Sequence, residues 1–415
     1  KSNHNRMDLK MTIKNRIAQR VLVNDEMISI DPRNCCGPWI VDTDGKQYLD
    51  CFSQFGSHAI GWNHSKMTAI KDQLGEMAVQ KLANPEILTE EYAKFVEEFS
   101  KITPDFKYHF YVDGGTLGVE NALKAAFDWK WNQIHTENMD VLHFSGAFHG
   151  RSGYTLSLTN NPYSDLKVKH FPKFPWTRLP SPAINNVSNP AMVESQVYIQ
   201  IRTACKKNNV AALVLETIQG EGGDNHFRPE FFQELRKLAD ELDFLLILDE
   251  VQTGVGMTGK MWAYEHYGIV PDLIAFGKKT QVCGCASTDR VDNVPNVFKV
   301  PSRISSTWGG NIVDMVRATR IFQIIEEDNL VENAKKVGDY LLPKLSALGL
   351  NNVRGKGLLI AFDFNNTAER NDALKRIQEE AFVLSCGEKS IRLRPHLTFT
   401  EQDADVLVDI LKRKI

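Results

Sequence analysis

The sequence predicts an α/β protein: a large, mostly parallel, buried sheet with a smaller α+β domain appended. Three observations predict it. The chain has 415 residues, past the roughly 250–300 at which one hydrophobic core stops growing. Short apolar runs recur and several end in glycine or a charged residue: Tyr108 to Val112, Val141 to Phe144, Val210 to Leu215, Phe244 to Leu248 and Leu273 to Phe276. Such runs mark strands covered on both faces. Between most of them apolar residues return at helical spacing, as at Val119, Leu123, Ala126 and Phe127, or Phe231, Leu235 and Leu238, and alternation of strand with helix is what parallel crossovers require.

Taken in order, the first twenty residues set Lys1, Arg6, Lys10, Lys14, Arg16 and Arg20 against Asp8. They lack the apolar centre of a secretion leader and read as an exposed basic helix. The strand–helix region follows. After Trp308-Gly309-Gly310 the pattern changes to a helix over Ile312 to Glu327, another around Glu332 to Leu348, and short strands near Gly357 to Phe364 and Ser390 to Leu393. A last helix opens on the capping-box pair Thr400 and Asp403 and carries Val406, Leu407, Ile410 and Leu411 on one side.

Composition excludes several functions. A formal charge of −3 gives no basic field for nucleic acid or an anionic membrane. The strongest apolar run, Phe244 to Leu248, meets Asp249 and Glu250 at once, far short of a membrane span. Seven scattered cysteines (Cys35, Cys36, Cys51, Cys205, Cys283, Cys285, Cys386) fit reduced thiols of a cytoplasmic protein better than a disulfide framework. Cys283 and Cys285 have no second pair or histidine cluster beside them, so they read as buried or loop thiols, and no metal is expected.

In an open parallel sheet, chemistry gathers at the carboxyl ends of the strands. Past the first run, Gly114-Gly115-Thr116 leads into a helix; glycine lets backbone approach an anion and a helix start offers unpaired N–H groups, so the segment is a phosphate cup or simply a turn. Asp249 ends a buried strand in the run LILDEVQT, where a carboxylate needs a cation or serves as a cap. Lys278 and Lys279 follow Leu273 to Phe276. A lysine partly removed from water loses its proton and condenses with carbonyls, whereas an isolated pair of this kind is ordinarily a surface feature. Together a phosphate cup, a strand-end aspartate and a strand-end lysine meet the needs of pyridoxal 5'-phosphate: Schiff-base lysine, partner for the ring nitrogen, and phosphate anchor.

With the segment Asp249 to Gln252, PDLIAFGKKTQVCG at Pro271 to Gly284 and SRISSTWGGN at Ser302 to Asn311, the sequence resembles the class III aminotransferases of fold type I. Further matching strings are VDGGTLGVENALKAAFDWK (Val112 to Lys130), FHGRSGYTLSLTN (Phe148 to Asn160) and IQGEGGDNH (Ile218 to His226). The likeness runs from roughly residue 20 onward. It departs where a more glycine-rich stretch is expected and Cys285-Ala286-Ser287-Thr288-Asp289-Arg290 stands instead, which leaves the loop after Lys278 open.

Within the class, the resemblance points to enzymes that move the ε-amino group of L-lysine to 2-oxoglutarate, giving 2-aminoadipate 6-semialdehyde and L-glutamate in a ping-pong reaction. Other ω-amino donors (ornithine, 4-aminobutyrate) and a non-catalytic cofactor-binding protein are the alternatives. The resemblance implies Lys278 rather than Lys279 as the Schiff-base and proton-shuttling lysine, and Asp249 on the pyridine nitrogen. Val251 and Phe148 take the two faces of the ring, Gln252 its hydroxyl, and Gly115 and Thr116 the phosphate. Thr307 would reach the phosphate of a neighbouring subunit, making a homodimer the functional unit. Arg151 would hold the α-carboxylate of lysine and Arg394 that of 2-oxoglutarate, with Arg392 the competing choice. Glu221 would neutralise Arg394 when lysine is bound, with Glu216 its competitor. The division implied is an N-terminal segment (1–64) packed with the small domain, a large cofactor domain (65–308) and a C-terminal small domain (309–415).

Overall fold

The computed structural model describes residues 12–24, 26–161, 163 and 165–415. Lys1, Arg6 and Lys10 of the expected basic helix lie outside the described residues. The helix itself, Ile13–Ala18, is N-capped by Thr12 and buries no residue, as the pattern of Lys14 and Arg16 requires. Among the described residues, no helix is long and apolar enough to cross a membrane.

Near the N-terminus β1 (Trp39–Val41) and β2 (Gln47–Asp50) pair antiparallel. The central sheet has seven strands: β3 (Tyr108–Val112), β4 (Asp140–Phe144), β5 (Arg178–Leu179), β6 (Val210–Glu216), β7 (Leu245–Asp249), β8 (Leu273–Phe276) and β9 (Cys283–Ser287). Their spatial order is β3-β9-β8-β7-β6-β4-β5. Only β9 runs against the others, antiparallel to both β3 and β8. The five expected strands are all present. β9 is a correction to the loop expected after Lys278: it is a fully buried strand, and of the two readings of its thiols, buried or in a loop, the buried one holds, with Cys285 in the core.

The reason is close approach. The helix Gly115–Ile134 crosses β9 at Gly118, where an added Cβ would stand 2.5 Å from the Gly284 carbonyl oxygen. Small residues are therefore what this strand needs, and small residues carry little β-propensity. Along that helix Val119, Leu123 and Ala126 are fully buried, as their spacing predicts.

The C-terminal part holds β10 (Asn351–Lys356), β11 (Leu359–Asp363), β12 (Ala381–Phe382), β13 (Leu384–Cys386) and β14 (Ser390–Leu393). Four of these form the antiparallel sheet β10-β11-β14-β13, while β12 joins β2 in parallel. The two ends of the chain are thus hydrogen-bonded into one small sheet. The helix Ile312–Glu327 matches its expected bounds and packs Phe322 against Phe95 and Phe99 of the helix Glu90–Ile102. The final helix, Glu401–Lys414, has the Thr400/Asp403 capping box and buries Leu407, Ile410 and Leu411; Val406, expected beside them, is exposed.

Candidate functional site

The carboxyl ends of β3, β4, β6, β7 and β8 open onto one cavity of about 510 Å³, whose walls include Thr116, Phe148, Asp249, Val251, Lys278 and Arg392. Gln54, Phe55 and Ser57 close one side. Ser53, Gln54 and Phe55 have φ of 44°, 54° and 58°, a left-handed run that side-chain-bearing residues seldom adopt and that collects at functional clefts.

At one end Gly114, with φ 103°, begins the helix Gly115–Ile134 without a side-chain cap. A helix leaves its first N–H groups without internal partners, and they favour an anion. A Cβ on Gly114 would meet nothing within 4 Å, so there is open ground beside these donors. One on Gly115 would stand 2.9 Å from Val251 Cγ1, so the tight approach of the turn to Val251 requires glycine there.

The acidic end lies beneath. Asp249 and Glu216 are register partners across β7 and β6, which sets two carboxylates side by side at the carboxyl ends of central strands. His149, buried, donates through Nδ1 to Asp249 Oδ2 at 2.8 Å. Burial disfavours charge on His149, but the hydrogen bond and charge of Asp249, aided by Glu216, outweigh it and raise its pKa above 6.5. Glu216 accepts the Phe148 N–H at 2.8 Å and the Gly220 N–H at 3.1 Å. Burial, opposed by His149 and reinforced by Asp249, pushes it up to about 7.

Two lysines follow β8 and take different environments. Lys278, held at φ 55°, lines the cavity. Burial, and then the charge of Arg392, lower its pKa to about 8. Lys279 is 1% exposed and donates to the Gln252 carbonyl at 3.1 Å. Gln281 ties the turn down by donating to Ser57 O at 3.2 Å and Lys278 O at 3.1 Å.

The outer half of the cavity is cationic. Arg151 is exposed, with its guanidinium carbon 5.9 Å from the Phe148 ring centroid. Glu221 does not pair with Arg394 as expected; its Oε2 accepts from Arg392 Nη2 at 2.7 Å. Arg394 is 0% exposed, forked onto Asp224 (0% exposed), and donates to Gln252 Oε1 at 2.8 Å. This is a correction: the two arginines share a face in sequence, but Asp224 draws Arg394 inward and Arg392 reaches the cavity. Thr307 is exposed and stands apart from the residues lining this cavity.

Sequence reasoning gave no role to His149, Asp224 or Lys167. His149 sits inside the FHGR string beside Phe148, so a strand-end histidine facing a strand-end aspartate was a usable signal. Lys167 meets Glu221 across 54 residues, and nothing in their spacing announces it. Pyridoxal 5'-phosphate fits these groups: a helix start with open ground for phosphate, a carboxylate braced by a buried imidazole for a protonated ring nitrogen, and an amine titrating near 8 for an aldehyde. Among the described residues no group of histidine, cysteine and acidic side chains is placed to hold a metal.

Comparison with known proteins agrees with this geometry. The L-lysine-epsilon aminotransferase of Amycolatopsis lactamdurans is 42% identical over 95% of this chain and 93% of its own. The 4-aminobutyrate aminotransferase of Kluyveromyces lactis is 35% identical over 91% of this chain and 88% of its own. The solved structure of the lysine aminotransferase from M. tuberculosis in the internal aldimine form superposes with a TM-score of 0.94 at 42% identity, covering 97% of this chain and 98% of that one. The model of the class-III aminotransferase family matches residues 21–415, and with nearly the whole length accounted for, the chain belongs to the class III aminotransferases.

Proposed function

We propose that this chain is a pyridoxal 5'-phosphate-dependent transaminase that transfers the ε-amino group of L-lysine to 2-oxoglutarate, yielding 2-aminoadipate 6-semialdehyde and L-glutamate. The observation that carries this reading is the 42% identity, over 95% of the chain, to an L-lysine-epsilon aminotransferase, joined to a cavity with the required acid, amine and arginines.

When bound, the cofactor withdraws the electron pair left as a substrate C–H bond breaks. The chain's own residues do the rest. Gly115 and Thr116 hold the phosphate with backbone N–H groups and a hydroxyl. Asp249, braced by His149, keeps the pyridine nitrogen protonated. Phe148 and Val251 confine the ring. Gln252, whose Oε1 is occupied by Arg394, has its amide N–H left for the ring hydroxyl. Lys278 Nζ takes the proton from the reacting carbon and returns it one position along; an amine with a pKa near 8 has a sizeable unprotonated fraction for this at neutral pH.

Substrate carboxylates go to arginine because its fork binds them bidentately. Arg151 holds the α-carboxylate of lysine and leaves the ε-carbon at the inner end. Arg392, released by Glu221, holds the α-carboxylate of 2-oxoglutarate. Thr307 serves the phosphate of a partner subunit, so a homodimer is the working unit. The division into 1–64, 65–308 and 309–415 belongs to the same proposal, and the pairing of β12 with β2 supports packing of the N-terminal segment on the small domain.

A coupled assay with lysine, ornithine and 4-aminobutyrate against 2-oxoglutarate tests the substrate; lysine is expected to lead in kcat/KM, and a preference for ornithine overturns the choice. Borohydride reduction of the holoenzyme is expected to fix the cofactor on the peptide at Lys278, and Lys278→Ala to lose about a thousandfold or more in turnover. Label on Lys279 would refute the assignment.

A further inference from the structure

Glu221 is held by two cations, one on each carboxylate oxygen. Arg392 Nη2 donates to Oε2 at 2.7 Å, and Lys167 Nζ donates to Oε1. Both Lys167 and Glu221 side chains are 27% exposed, so the pair sits at the mouth of the cavity. The Glu221 backbone is fixed, since its carbonyl accepts the Gly387 N–H at 2.9 Å. Leaving Arg392 is therefore a rotation of the side chain alone. Lys167 has a second anchor, its ammonium lying 5.2 Å from the Phe148 ring centroid, a cation–π arrangement that keeps it lodged while Glu221 moves.

A dicarboxylic oxo acid arriving at Arg392 sets its carboxylate against that of Glu221 for one guanidinium, and like charges at this separation repel strongly in a half-buried site. The amino donor places no carboxylate there. Burial pushes the Glu221 carboxyl up, but Arg392 and Lys167 outweigh burial and hold it below the ordinary value; it remains an anion and needs a counterion wherever it turns. Resting on the roles given above to Arg392 and Glu221, we propose that Lys167 is the positioning residue that holds Glu221 aside when a dicarboxylate occupies Arg392, and thereby sets affinity for the acceptor relative to the donor. Without Lys167, Glu221 keeps Arg392 as its ion-pair partner among the described residues and yields it less readily.

The test compares wild type, Lys167→Met and Lys167→Arg as holoenzymes. Glutarate, a dicarboxylate without the reacting carbonyl, is titrated by calorimetry, and the two half-reactions with lysine and with 2-oxoglutarate are followed separately by stopped flow. In Lys167→Met the glutarate Kd is expected to rise about fivefold, the worth of a half-exposed ion pair, and the ratio of the 2-oxoglutarate to the lysine rate constant to fall by a similar factor. Lys167→Arg restores most of both. A glutarate Kd within twofold of wild type in Lys167→Met, an equal loss in both half-reactions, or a wild type that binds no glutarate overturns the proposal. A wild type without a lysine half-reaction overturns the function instead, and the glutarate titration still decides Lys167.

Discussion

Arg392 and Arg394 are two residues apart, yet the structure gives them different partners, and exchanging each for glutamine separates the roles proposed for them quantitatively. Arg394 and Asp224 are each 0% exposed and joined by a forked pair. Removing the arginine leaves a buried carboxylate without its cation, which costs about 3–5 kcal/mol. Arg392 faces Glu221, whose side chain is 27% exposed and also held by Lys167. Arg392 is itself 3% exposed, but what its loss leaves behind is a partly exposed carboxylate with another partner and water at hand, a cost of about 1 kcal/mol. The order reverses for the acceptor. Losing the guanidinium that clamps a carboxylate costs about 2–4 kcal/mol of binding, a drop of about 30- to 1000-fold in the rate constant for 2-oxoglutarate. The assay is a pair of measurements on each variant: the urea midpoint, and the second-order rate constant of each half-reaction. Arg392→Gln is expected to keep its midpoint nearly unchanged and lose the acceptor half-reaction; Arg394→Gln is expected to unfold at much lower urea. If Arg394→Gln keeps the wild-type midpoint and loses only the acceptor, while Arg392→Gln keeps both, the burial argument is wrong.

Two further outcomes follow from particular contacts. Glu216 titrates at about 7 in the folded protein, against 4.5 ordinarily, chiefly through burial; a raised carboxyl pKa gives stability that is present at low pH and lost as pH rises through the folded value. Glu216→Gln should therefore gain on the wild type between about pH 4.5 and 7 in urea unfolding, and a stability difference flat across that window would refute the assignment. Gly118→Ala offers the helix about 1 kcal/mol in propensity, but its Cβ would stand 2.5 Å from the Gly284 carbonyl, a backbone atom that cannot swing away, and overpacking of this kind costs about 1–3 kcal/mol. A lowered urea midpoint is expected, and a raised one would show that the helix and β9 have room to separate.

What was legible in the sequence was whatever repeats along it. Tyr108–Val112 and Leu273–Phe276 are legible to the residue because apolar runs end sharply at Asp113 and Gly277, and Ile312–Glu327 because the pattern changes after Trp308-Gly309-Gly310; the Asn311 cap then fixes its start in the structure. β9 escaped because it is specified by the space beneath Gly118, and not by the preferences of Cys283 to Ser287. The site divides in the same way. Asp249 and Lys278 are legible because one ends an apolar strand and the other follows one closely, where burial shifts chemistry. Choosing between Arg392 and Arg394 needs Asp224, and finding Lys167 needs Glu221; both are partners in depth that one-dimensional spacing cannot supply.

The parallel pairing of β12 with β2 has a consequence for how the protein comes into being. The central sheet is complete once Ser287 of β9 has emerged, but the cavity draws Gln54 from one end of the fold and Arg392 from the other. About a hundred residues separate the last strand of the sheet from that arginine, several seconds or more of synthesis at ordinary elongation rates. During that interval all the strands of the sheet have been made and the wall that completes the cleft has not. The residues proposed to hold the cofactor, Thr116, Phe148, Asp249 and Lys278, are all made before that arginine, so the clamp for the acceptor's carboxylate is the last part of the cavity to be synthesised.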